Sequence, residues 1–190
     1  MSIDYEALIV RAKQDPAHAD FSELRWAFTR SDQYDPNEAN EDDRTLEEAV
    51  EAQDWPRARE VVDRLLQRGY VRLWLHAYAG VISERLGDAA GVERHAEFCR
   101  GLMTSIMESG DGRTPDTAFR VVSVEEERTA LTLCNLELLQ QVLIDEGGRY
   151  FDRVTVQGPD DAEAFDLFFD VSIPYRLIDE RLDGLETPDS

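Results

Sequence analysis

Glu48-Ala49-Val50-Glu51-Ala52-Gln53-Asp54-Trp55-Pro56-Arg57-Ala58 and Ile82-Ser83-Glu84-Arg85-Leu86-Gly87-Asp88-Ala89-Ala90-Gly91-Val92 are the two stretches that decide the fold. Each runs a helical pattern into an Asp and starts a new helix at once. Asp54 and Asp88 are 34 residues apart, the tetratricopeptide period. Ala58 and Val92 follow, small or short side chains placed where the second helix of such a unit approaches the first. Outward from these turns the pattern predicts four helices, at about 43–53, 56–68, 71–86 and 88–108. Connections this short force neighbouring helices antiparallel. Two units are fewer than the three or so that a free-standing solenoid needs, so the rest of the chain is expected to cap the stack.

Upstream, Ile3 to Lys13 reads as a helix that Pro16 ends. Asp20 and Glu23 form a capping box ahead of a short helix carrying Leu24, Trp26 and Phe28. From Asp32 to Asp43 the pattern dissolves into a loop. Seven acids between Asp35 and Glu48 face Arg44 alone, either as a solvated stretch or as a docking strip for a basic partner.

Downstream of Ser109 the character changes. Ala118 to Val122 reads as a short strand, and Ser123 with Glu126 as a second capping box. The stretch to about Glu146 is apolar nearly all round, which predicts one long buried helix, stopped by Gly147-Gly148. Tyr150–Gln157 and Glu163–Ser172 then alternate as two pairing strands around Gly158-Pro159-Asp160-Asp161, and Tyr175–Leu182 reads as a last helix. The expected fold is α+β, mainly α: tetratricopeptide-like helical hairpins, then a small antiparallel sheet of about three strands packed with the long helix. One domain over 1–190 is expected, with a helical-repeat part at 43–108 and an α+β part at 116–182.

The chain of 190 residues carries 41 acids and 20 basic residues, a net charge of −21. That sign excludes the basic footprint of nucleic-acid binding and disfavours anionic membrane surfaces. No apolar run approaches the ~18 residues of a membrane span, and no signal-peptide pattern is present. The expectation is a cytoplasmic protein. Lys13 is the sole Lys beside 19 Arg, and Cys99 and Cys134 are expected to be buried small apolar groups rather than a disulfide.

Further blocks share a pattern: Gly101-Leu102, Ser105-Ile106, Ser109-Gly110-Asp111-Gly112, Thr117-Ala118-Phe119 and Val121-Val122 running into Glu125-Glu126. With Asp20-Phe21, Leu24-Arg25, Tyr34-Asp35-Pro36 and Phe168-Phe169-Asp170-Val171 before Ile173-Pro174, they resemble the bacterial domain-of-unknown-function family numbered 4919. The resemblance spans about Asp20 to Leu182 and implies a fold and a membership, but no activity.

Candidate binding residues are Arg72, His76, His95, Ser109, Asp111 and Arg113. Ser109 and Asp111 offer oxygens within a glycine-rich turn, as in calcium loops or anion nests, but no EF-hand or Walker spacing follows. The plain alternative is a helix cap with Gly110 in the left-handed region and Asp111 bonding onward amides. His95 and Cys99 are one helical turn apart, a metal or thiolate–imidazole spacing. They also fit an apolar stripe with Val92, Leu102 and Ile106, which makes His95 a core histidine. Arg72, His76 and Ser83 form a polar stripe opposite Val71, Trp74, Tyr78 and Ile82, placed to line a partner-binding groove or simply to face solvent. No metal site, cofactor or catalytic constellation is expected. The function expected is a non-catalytic interaction module, an acidic adaptor or immunity-type protein for a basic partner. The alternative is a small-ligand binder or hydrolase-like enzyme near the Ser-Gly-Asp-Gly turn.

Overall fold

A computed structural model describes residues 4–35, 41–159 and 163–176, and the chain divides into two compact units, Met1–Ser105 and Ile106–Ser190. The fold is α+β and mainly α. The division falls near the change of character that the sequence shows after Ser109.

The first unit is helical. Helix α1 (Tyr5–Gln14) starts where the Asp4 side chain accepts from the Glu6 amide, and α2 (Phe21–Phe28) where Asp20 accepts from the Glu23 amide at 2.8 Å. Helices α3 (Glu41–Glu51), α4 (Trp55–Arg68), α5 (Leu73–Arg85) and α6 (Ala89–Met107) follow, within two residues of their predicted limits.

The turns α3–α4 and α5–α6 repeat bond for bond. Gln53 and Gly87 take left-handed φ values of 56° and 73°. The next amide, of Asp54 or Asp88, reaches back to the carbonyl of Ala49 or Ser83, at 2.8 Å in each case. The same Asp then caps the following helix, accepting from the amide of Arg57 at 3.2 Å or of Gly91 at 2.9 Å. One residue in the left-handed region thus satisfies the carbonyls of one helix, and the next residue satisfies the amides of the other. Every equivalent pair is 34 residues apart. Ala58 is fully buried, as expected, but Val92 is half-buried. The close approach in the second hairpin belongs to Gly91, where a Cβ would come within 2.6 Å of Ser83 Oγ.

The second unit is a mixed four-stranded sheet with a helix. Strands β1 (Phe119–Arg120), β2 (Glu137–Asp145), β3 (Tyr150–Gln157) and β4 (Phe165–Asp170) take the order β1-β4-β3-β2. The pairs β2–β3 and β3–β4 are antiparallel, and β1 runs parallel to β4. The predicted long buried helix is corrected: helix α7 (Val124–Leu133) ends after ten residues and the remaining leucines form β2. Asn135 stands at φ 54°, and the Leu136 amide bonds the Leu131 carbonyl at 3.0 Å, which is the same termination that ends α3 and α5. The run is apolar on every side because it serves two elements. As an edge strand β2 leaves Leu138, Leu139 and Leu143 37%, 49% and 43% exposed. Gly147 and Gly148, both left-handed, turn the β2–β3 hairpin instead of stopping a helix. At α7 Ser123 caps the helix by accepting from the Glu126 amide, while Glu126 reaches back one residue past the N-cap and accepts from the Val122 amide. A helical turn at 172–176 opens the expected last helix, whose remainder lies outside the described residues, as do Asp160 and Asp161.

Candidate functional site

The Ser-Gly-Asp-Gly turn clamps its own backbone. Ser109 Oγ donates to the Ile106 carbonyl at 2.6 Å and accepts from the Arg120 amide at 2.8 Å. Asp111 Oδ1 accepts from Thr117 Oγ1 at 2.6 Å and from the Arg113 amide at 3.0 Å. Those bonds hold the Asp111 carboxyl below the usual carboxylate range. The left-handed glycine here is Gly112, at φ 68°, not Gly110 as the cap reading expects. Gly110 is needed for close approach, since a Cβ there would meet the Ala118 carbonyl at 2.7 Å.

Beside this turn lies a cavity of about 480 Å³ between α7 and one face of the sheet. Phe119, Leu131, Phe165, Leu167 and Phe169 make its apolar walls, and Asp111, Arg113 and Asp166 its polar border. The sequence-predicted residues Asp111 and Arg113 are thus brought together at one opening. Ser109 is half-buried in the turn, occupied by its two backbone bonds.

One turn before the cavity residues Ala130 and Leu131, α7 buries Glu127 completely. Asp152 on β3, register partner of the cavity residue Phe169, is 1% exposed. Gln141 Nε2 donates to Asp152 Oδ2 at 2.7 Å, while neither Glu127 oxygen has a partner in ordinary hydrogen-bond geometry. Burial, then the neighbouring Asp152 charge, pushes the Glu127 carboxyl up to about 8. Burial also raises Asp152. Both shifts favour a pair that holds a proton between its two carboxyls. Sequence reasoning passed over both residues. The signal was phase: Asp152 alternates with the buried Val154 and Val156, and Glu127 stands three and four residues before Ala130 and Leu131.

In the helical unit the predicted polar stripe is corrected. His76 and Ser83 are fully buried, Arg72 is half-buried, and the half-buried Trp74 and Tyr78 share α5's outer side with the exposed Val81. Internal partners make this burial possible. Ser83 Oγ accepts from Arg59 Nη2 at 2.9 Å. His76 Nε2 donates to the Tyr70 carbonyl at 2.6 Å, so its Nδ1 accepts from His95 Nδ1 at 3.0 Å. His76 also stacks on Phe98 at 4.8 Å. Burial lowers His76 to about 3 and His95 to about 4, so both rings are neutral at pH 7. His95 is buried, as a core histidine should be. Cys99 is half-buried, and burial raises its thiol to about 11, far from a reactive thiolate. Among the described residues no cluster of three or more His, Cys, Asp or Glu could hold a metal ion, and no helix is long and apolar enough to cross a membrane.

No curated protein and no solved structure matches the chain. Residues 2–180 match the family described as Domain of unknown function (DUF4919). The resemblance carried by the glycine-rich turn and its neighbours is thereby established over nearly the whole sequence, and the chain belongs to the DUF4919 family.

Proposed function

We propose that the chain is a non-catalytic interaction module, with tetratricopeptide-like hairpins and an acidic surface that receives a basic protein partner. The observation that carries this reading is that, among the described residues, exposed carboxylates outnumber those that an Arg reaches. On α3, Glu41, Glu47, Glu48 and Glu51 are exposed, and Arg44, the one Arg of that helix, reaches Glu48. The arginines of α4 that bond acids serve partly buried ones: Arg64 and Arg68 hold Asp42, and Arg59 holds Asp88. A field of one sign speeds encounter with a partner of the other and slows as salt screens it beyond ~8–10 Å. The test is to isolate the bound partner and measure association at low and at physiological salt. A basic partner whose on-rate falls steeply with salt supports the reading. An acidic partner, or an on-rate indifferent to salt, overturns it.

A further inference from the structure

The cavity of the second unit opens at a sheet edge that β1 leaves uncovered. Strand β1 pairs with Phe169 and Asp170 of β4 and no further. The Phe168 amide donates outward to the Gly112 carbonyl at 2.8 Å, and the Asp170 carbonyl accepts from the Val121 amide at 3.3 Å. Even-numbered residues of β4 therefore direct their main-chain groups away from β3. The period of two in a strand puts the Asp166 N–H and C=O on that same side. Among the described residues no strand lies beyond them. The Asp166 carboxylate is turned to the opposite face by Thr155 Oγ1 at 2.7 Å, so its main chain is what borders the cavity. Phe165, 45% exposed, and Leu167 point the other way in the alternation, onto the apolar walls.

We propose that this edge is a docking site for an extended segment of a partner protein, which adds to β4 through the main chain of Asp166 and seats an apolar side chain in the cavity. An open donor–acceptor pair on an edge strand is the recognition element of strand addition, and an adjoining pocket reads alternate side chains of the added strand. A small apolar molecule would fill the pocket and leave the main-chain pair unused, so the two features together select a peptide. Its flanking residues are Lys or Arg, because the charged Asp111 at the rim and the exposed Glu163 before β4 together outweigh Arg113, the cation of the same rim. That last point rests on the basic-partner reading above; the strand addition does not.

The probe is the peptide acetyl-Arg-Val-Leu-Val-Arg-amide, with its Glu-flanked counterpart and a set singly N-methylated along the backbone. The Arg peptide is expected to bind and to slow hydrogen exchange at the Asp166 amide. At least one N-methylation is expected to weaken binding about tenfold, the worth of one main-chain bond. Cys134→Trp, which fills the cavity from an exposed wall position, is expected to weaken it at least as much. Binding that ignores every N-methylation, or leaves exchange at Asp166 unchanged, overturns strand addition and leaves an apolar ligand pocket. No binding by roughly 1 mM overturns it as well. Equal binding of the Arg and Glu peptides leaves strand addition standing and removes the basic partner instead.

Discussion

His76 with His95 in the helical unit, and Glu127 with Asp152 under the sheet, are both buried titratable pairs, and burial drives them toward neutrality by opposite routes. The histidines give up protons because burial disfavours the imidazolium, while a neutral His76 still donates to the Tyr70 carbonyl and accepts from His95. The carboxyls keep one because burial disfavours the carboxylate, and a second carboxylate alongside adds to that cost. The comparison teaches that a buried polar cluster can be equally well ordered in either unit while its stability answers to pH with opposite sign.

The largest effect tests that sign. For the histidines the folded pKa lies below the unfolded one, so the unfolded state binds more protons and stability rises with pH. Their contribution is complete above about pH 6.5 and is lost as pH falls toward 4. For Glu127 the folded pKa lies above the unfolded value near 4.5. Its contribution is complete below that value and is lost as pH climbs to about 8. Each proton changes stability by up to about 1.4 kcal/mol per pH unit within its window. Trp26, Trp55 and Trp74 all lie in the helical unit, so tryptophan fluorescence reports its denaturant midpoint, and amide exchange on β3 reports the sheet. The first midpoint is expected to rise from pH 4.5 to 6.5, and β3 protection to fall from pH 5 to 8. Glu127→Gln is expected to flatten the second slope alone. Two slopes of the same sign would break the comparison.

Next in size is packing. Ala58 is 0% exposed at the first hairpin, where α4 meets α3. Ala58→Phe is expected to overpack it by about 1–3 kcal/mol, read in the tryptophan signal. A loss under about 0.5 kcal/mol would mean that the α3–α4 contact is not close-packed.

A smaller effect tests whether the two hairpins are equivalent. Asp54→Ala and Asp88→Ala each remove one N-cap and are each expected to cost about 1 kcal/mol. Asp88→Ala is expected to cost more, because Asp88 also accepts from Arg59 Nη2 at 2.9 Å, a bond Asp54 lacks. If Asp54→Ala proves the costlier, the extra bond contributes nothing.

The helical unit was legible because its turns announce themselves locally: Gly87 before Asp88, Pro56 after Asp54, and a 34-residue offset that recurs in the bonds. The orientation of α5 was not, since His76 and Ser83 look polar in sequence and are buried by partners 19 and 24 residues away. The split of 124–145 was missed because leucine suits helix and strand alike, and the deciding residue, Asn135, carries its signal in a backbone angle. Of the site, the turn with Asp111 and Arg113 was visible. The open edge of β4 was not, because it depends on how far β1 pairs, which no local pattern encodes.

The smallest effect concerns those terminations. Gln53 and Asn135 are the non-glycine residues with positive φ among those described, at 56° and 54°, and each ends a helix that then gives way to a different element. Glycine enters this region without a Cβ penalty, asparagine at a small one, and glutamine at a larger one. Glycine also gives the unfolded chain more freedom, which offsets part of the gain. Gln53→Gly is therefore expected to stabilise the helical unit by up to about 0.5–1 kcal/mol, and Asn135→Gly to change the sheet unit by less. The opposite control is Asn135→Ala, expected to cost about 1 kcal/mol, because alanine favours continuing α7 through the residue that stops it. Unfolding curves of the three variants order the effects. If Asn135→Ala is neutral, the α7–β2 boundary is set by the pairing of β2 with β3 rather than by its left-handed residue, and the likeness between this boundary and the hairpin turns is one of geometry alone.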